Sequence, residues 1–213
     1  MNSQQYDTTI IYILNKINQQ KNNRIIYFNT FTFRPIYSSS SETKVQYCFD
    51  AYESYYKHIC SKLINNYHRA SKQHLLPITF DFIDASNSTN TKNIRTITTT
   101  PHIHSITLVS NKLSNNYERY MRFQFRHELN LLQTMKASQH TLTEFQRSLH
   151  RIATFDCQLV KDYEEKQTLE YASKLLQHPV QLNQSLMNMY PKLKTSTSSS
   201  YCSNTSLSST HAI

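Results

Sequence analysis

Not one glycine occurs among the 213 residues, where average usage of roughly 7% would place about fifteen. The absence removes functional classes outright. A phosphate-cradling P-loop and a dinucleotide-binding fingerprint both need glycine where the backbone turns tightly or approaches a phosphate. This chain therefore carries no ATP-driven motor of its own. Turns that need a positive φ must fall to Asn, Asp and Ser. Long apolar runs are lacking as well, and none approaches the roughly 20 residues that a membrane-spanning helix requires. The four cysteines, Cys48, Cys60, Cys157 and Cys202, show no C-x-x-C spacing, and no apolar leader opens the chain. Free thiols and a cytoplasmic location are expected, with no membrane partner.

What is present is positive charge. Lys and Arg number 23 against 14 Asp and Glu, a net charge of +9 and a pI near 9.3. Such a balance favours polyanionic partners through counterion release, nucleic acid before anionic membrane. Aromatic residues reach 12% in a chain whose mean hydropathy is −0.61, which describes a folded domain with a polar surface rather than a disordered chain. The length suits one domain with flexible ends.

Residues 1–23 are rich in Asn and Gln around an apolar patch at 10–17, and read as an N-terminal extension holding a short helix. Arg24–Phe33 is dense in β-branched and aromatic residues and stops at Arg34-Pro35, so it reads as a strand in mid-sheet. Apolar residues then recur at Cys48, Ala51, Tyr52, Tyr55, Ile59 and Leu63, the three-and-four spacing of a helix that covers one sheet face. Residues 76–85 and 99–109 read as two further strands joined by a long polar tip, an antiparallel hairpin. Residues 115–136 have helical spacing with basic decoration, 152–160 alternate as a strand, and 163–176 read as a helix capped by Asp162. The Ser- and Thr-rich stretch that ends the chain reads as a flexible tail, which places a single domain over 24–180 and the tail over 181–213.

Two short segments carry chemistry. In His102-Ile103-His104, alternation along a strand sends both imidazoles from one face, and two imidazoles on one face form half of a divalent metal site. In the late helix, Tyr171 and Lys174 are three residues apart and share a face. A phenol, which ordinarily ionises near pH 10, needs a cation or base beside it to act as a nucleophile at neutral pH. Tyr163 and Lys166 repeat the spacing, but the glutamates between them oppose an approaching phosphate, whereas Ala172 and Ser173 do not. Arg34, Arg119, Arg122 and Arg126 are candidates for contacts to a nucleic-acid backbone.

The order of the segments, a strand YFNTFTF, then PHIHSITLV, then a helix with YASKLL, resembles the three successive motifs of HUH endonucleases. The likeness is greatest to the single-tyrosine rolling-circle replication initiators of plasmids and filamentous-phage-like elements, and it covers about residues 25–176. The resemblance implies an α+β fold, an antiparallel sheet of ferredoxin- or RRM-like core with helices packed on its faces. It implies His102 and His104 as metal ligands, Tyr171 as nucleophile and Lys174 as its basic neighbour. The family's third ligand is a polar side chain on a neighbouring strand, for which Asp84 is the first choice and Asp81 the second. Mg²⁺ or Mn²⁺ is the expected cofactor and single-stranded DNA at a replication origin the expected substrate, with a host helicase and DNA polymerase as partners. A relaxase or single-tyrosine transposase would use the same residues. A non-catalytic DNA-binding protein would need only the basic surface, and a structural zinc protein only the histidines.

Overall fold

The computed structural model describes residues 3–38, 40–84, 100–134, 142–177 and 187–192. Their elements, in chain order, are α1 (Ser3–Gln20), β1 (Arg24–Phe33), α2 (Ser41–Leu63), β2 (Ile78–Asp84), β3 (His102–Ser110), α3 (Ser114–Arg119), α4 (Arg126–Thr134), α5 (Glu144–His150), β4 (Ile152–Leu159), α6 (Glu165–Ala172) and β5 (Met187–Tyr190). A π-helical turn, Tyr120–Phe125, joins α3 to α4, and a short 3-10 turn, Lys174–Gln177, follows α6.

The strands form one antiparallel sheet in the order β4-β1-β3-β2-β5. β1, rich in β-branched and aromatic residues, lies inside the sheet between β4 and β3, and β2 and β3 pair as the expected hairpin, with Asp84 opposite His102. Every residue of β3 between its two ends is buried, so this central strand is covered on both faces.

Alternation divides the side chains between two cores. Tyr27, Phe31, Ile83 and Ile103 point to the side covered by α2 and by the helical stretch that carries Tyr117, Met121 and Phe125. Ile26, Phe80, Phe82, Ile106 and Leu108 point to the other side, where α1 contributes Ile10, Ile13 and Ile17 and α6 contributes Leu169. α2 begins where the Ser40 hydroxyl accepts from the Thr43 N–H, a side-chain cap worth about 1 kcal/mol. It buries Val45, Cys48, Tyr52, Tyr55 and Ile59, each worth roughly 1.5–3 kcal/mol when taken from water. Shortly after it, Asn66 takes φ 55°, which makes asparagine the residue that fills the left-handed region in a chain without glycine.

Several sequence expectations change. The N-terminal segment is not an accessory: α1 runs for 18 residues and forms a layer of the second core, because Ile10, Ile13 and Ile17 fall on one helical face. The sheet also reaches past residue 180, since β5 pairs with β2; the rest of the expected tail, 181–186 and 193–213, lies outside the described residues. Asp162 does not cap α6. Residues 161–163 are spent on a turn in which the Glu164 N–H donates to the Lys161 carbonyl at 2.9 Å, so the helix starts at Glu165 with no side-chain cap.

Asp81, the second choice for a metal ligand, lies an odd number of residues from Asp84 and therefore leaves the opposite face of β2. It is buried beneath α2 among hydroxyls, accepting from Thr79 at 3.0 Å. Burial pushes its carboxyl up to about 7 against the pull of the Ser105, Tyr52 and Thr79 hydroxyls. Folding thus favours the protonated acid, and this contribution to stability is lost as pH rises from about 4 to about 7. Thermal melts across that range should show wild type losing on the order of a few kcal/mol relative to Asp81→Asn. Parallel curves for the two proteins would contradict this.

Candidate active site

The site forms where the end of the β2–β3 hairpin meets the end of α6. His102 and His104 leave β3 on the α6 side, with Asp84 on the adjoining strand. The His104 Nε2–H donates to Asp84 Oδ2 at 3.0 Å, and the Lys174 ammonium donates to the same oxygen at 2.9 Å. The Asp84 side chain is 5% exposed and that of Lys174 36%. Charge-assisted bonds to a carboxylate withdrawn from water hold this cluster.

Tyr171 closes the arrangement. Its ring lies 5.2 Å from that of His104, centre to centre, and 4.8 Å from the Lys174 ammonium. Phe28 of β1 stacks on His104 at 5.4 Å and meets Tyr171 edge-on at 5.9 Å. Tyr171 is nonetheless 52% exposed, so the phenol is open to a large substrate. The end of α6 is fixed by the Ser173 hydroxyl, which donates to the Leu169 carbonyl at 2.7 Å and accepts from Tyr6 of α1 at 3.1 Å. Tyr163 lies elsewhere, in the turn after β4, bordering a surface pocket with Leu159, Lys21 and Asn111.

Both imidazoles are oriented through Nδ1. That of His102 donates to the Asp84 carbonyl at 3.3 Å, which leaves Nε2 with its lone pair in the neutral ring. That of His104 meets the Thr30 hydroxyl at 3.1 Å. A hydroxyl both donates and accepts, so Thr30 satisfies Nδ1 when Nε2–H is bonded to Asp84 and also when Nε2 gives its lone pair to a cation. Ligand histidines are commonly held in this way by a carbonyl or hydroxyl behind the ring. Imidazoles and a carboxylate are donor types suited to a divalent cation such as Mn²⁺ or Mg²⁺, although among the described residues no three His, Cys, Asp or Glu side chains stand close enough together to hold one as they are placed here.

The arginines do not gather here. Arg119, Arg122 and Arg126 are exposed on the helical stretch that covers the other face of the sheet. Arg122 pairs with Glu118 at 2.6 Å and Arg126 lies over the Phe155 ring. The helical spacing that aligned them also placed Tyr117, Met121 and Phe125 against the α2-side core, and this carries the arginines away from the histidines. Arg34 follows β1 at the same end of the sheet as His102. Beside the site, β4 exposes Thr154, Asp156 and Gln158, next to the half-buried Phe28, Thr30 and Thr32 of β1.

Comparison of the chain with protein-family models, curated proteins and solved structures gave no match. Thr30 and Phe28 were not singled out from the sequence. Their signal was present, since strand pairing sets Thr30 opposite His104. Thr30→Val should keep the fold, with a loss of about 1 kcal/mol, yet weaken Mn²⁺ binding by roughly 10–100-fold. Titration followed by the paramagnetic Mn²⁺ signal tests this, and unchanged affinity would remove Thr30 from the site.

Proposed function

We propose that the protein is a metal-dependent endonuclease of the HUH type, which nicks single-stranded DNA at a replication origin and starts rolling-circle replication. The observation that carries this reading is the packing of Tyr171 and Lys174 against His104 and Asp84. Segments almost 70 residues apart in the chain meet there, with the Tyr171 ring and the Lys174 ammonium beside the His104–Asp84 pair. The order β1-α2-β2-β3-helix-β4, with strands arranged β4-β1-β3-β2, also supports it, being the split β-α-β pattern of ferredoxin- and RRM-like cores.

In this reading His102, His104 and Asp84 would hold Mg²⁺ or Mn²⁺, which polarises the scissile phosphate and steadies its developing charge. The Tyr171 oxygen attacks phosphorus and the bond to the 3′-oxygen breaks. The phenol gives up its proton and the departing oxygen gains one, leaving a free 3′-hydroxyl and a 5′-phosphotyrosyl enzyme. The Lys174 ammonium, held by Asp84, stabilises negative charge beside the ring. The exposed strip of β1 and β4 offers a path for the strand, with Phe28 as a stacking surface. Duplex opening falls to a host helicase, extension of the 3′-hydroxyl to a DNA polymerase, and the setting is the cytoplasm. Among the described residues no helix is long and apolar enough to cross a membrane.

Incubation with single-stranded origin DNA and Mn²⁺ should yield a protein–DNA adduct that survives denaturation. Tyr171→Phe and EDTA should each abolish it, and Tyr163→Phe should leave it intact. The double variant His102→Ala, His104→Ala should lose cleavage while keeping most DNA binding, because binding rests chiefly on phosphates. An adduct that persists in Tyr171→Phe would refute the assignment of the nucleophile. Salt-sensitive binding without nicking of any strand would favour a non-catalytic DNA-binding protein.

A further inference from the structure

Arg24 opens β1 at the end of the sheet remote from His102, and it is 8% exposed. Its guanidinium makes four hydrogen bonds, all to neutral oxygens: Gln20 Oε1 at 3.3 Å and the carbonyls of Leu76, Leu108 and His74 at 2.7, 3.1 and 2.8 Å. A guanidinium has five N–H donors, so one is left over. All 14 Asp and Glu side chains fall within the described residues, and none forms an ion pair with Arg24. A buried cation without a counter-anion is costly, and among the described residues none pairs with it.

Arg24 borders a cavity of about 430 Å³ between α1 and the sheet, within the size range of small-ligand sites. Phe80, Leu108 and Met189 give it an apolar wall. Lys16 and His74 join Arg24 around it, and Tyr12 adds an exposed ring with the Lys16 ammonium 5.7 Å from its centre. None of the described residues that line the cavity is acidic. An apolar wall with three groups able to carry positive charge matches a flat, weakly polar ring bearing an anion.

We propose that this cavity binds a nucleoside monophosphate unit, the base against Met189 and the exposed ring of Tyr12 and the phosphate toward Arg24 and Lys16. The unit can be a free nucleotide or one nucleotide of a single strand. Leu108 lies four residues along β3 from His104, about 13 Å at the usual rise, so a strand engaged at Tyr171 reaches it within a few nucleotides. The strand form rests on the nuclease reading, whereas the free form does not.

The test uses the full chain labelled with ¹³C at its methionine methyl groups. Met189 reports on the cavity, and Met121, buried on the other face of the sheet, serves as the control. Titration with dTMP, inorganic phosphate, thymidine and an oligothymidylate should shift Met189 saturably with dTMP or the oligonucleotide and leave Met121 in place. A response to dTMP identifies a free-nucleotide site, and a response to the oligonucleotide alone identifies a strand subsite. Lys16→Glu, a change at the surface that spares the buried Arg24, should weaken the response by about tenfold or more. No Met189 shift with either ligand, a shift as strong with inorganic phosphate alone, or one indifferent to Lys16→Glu would overturn the proposal. Covalent adduct formation at Tyr171 is a separate readout, so failure of the nuclease reading and failure of this site are distinguishable.

Discussion

A single carboxylate oxygen ties the candidate site together. Asp84 Oδ2 receives both the His104 imidazole and the Lys174 ammonium, and so joins the end of the β2–β3 hairpin to the turn that follows α6. Two donors on one buried acceptor leave little freedom in either element. Loss of Asp84 would strand positive charge at the edge of the core, the kind of change that costs several kcal/mol. The position of Tyr171 beside His104 follows from this link together with the Tyr6–Ser173 bond, which pins the end of α6 to α1.

The two faces of the sheet do different work. On the α2 side, phenols and hydroxyls satisfy one another inside the core: Tyr52 meets Ser105 at 2.7 Å, and Asn29 donates to both Thr107 and Tyr117. Such a network allows a chain rich in tyrosine to bury polar groups with most of them paired, while Asn29 Oδ1 and Asp81 Oδ1 remain without a hydrogen-bond partner among the described residues of that core. On the other side, α1 and α6 cover β2 and β3, while the outward residues of β4 stay exposed. That asymmetry leaves Tyr171 open beside its partners. The positive charge is not gathered at Tyr171, since Arg119, Arg122 and Arg126 lie on the stretch that covers the opposite face of the sheet.

Local periodicity made much of the fold legible. The bounds of β1, the buried stripe of α2, the antiparallel β2–β3 pairing and the shared face of His102 and His104 all follow from repeats of 2.0 or 3.6 residues. The same rule separates Asp84 from Asp81, because three residues along a strand reverse the face. α5 falls in a stretch that the periodicity left unassigned, although its signal is local: Thr143 and Gln146 form a reciprocal capping box. β5 gave less, since its four residues, MNMY, have no marked strand character and depend on the edge of β2 for their hydrogen bonds.

The sequence by itself determined which residue types could act, namely a pair of strand histidines, two tyrosines each followed by a lysine, and acids on the neighbouring strand. It also determined, through the missing glycines, what the chain cannot be. Intervening glutamates already ranked Tyr163 below Tyr171, but tertiary structure alone decided that Tyr171 packs on His104, that Thr30 stands behind His104, that Asp84 bridges to Lys174, and that three of the arginines face away. The reason is physical. Periodicity is set by backbone geometry within a few residues, whereas the meeting of Tyr171 with His104 depends on how α6 packs across the sheet, and that packing is set by burial and pairing between segments distant along the chain.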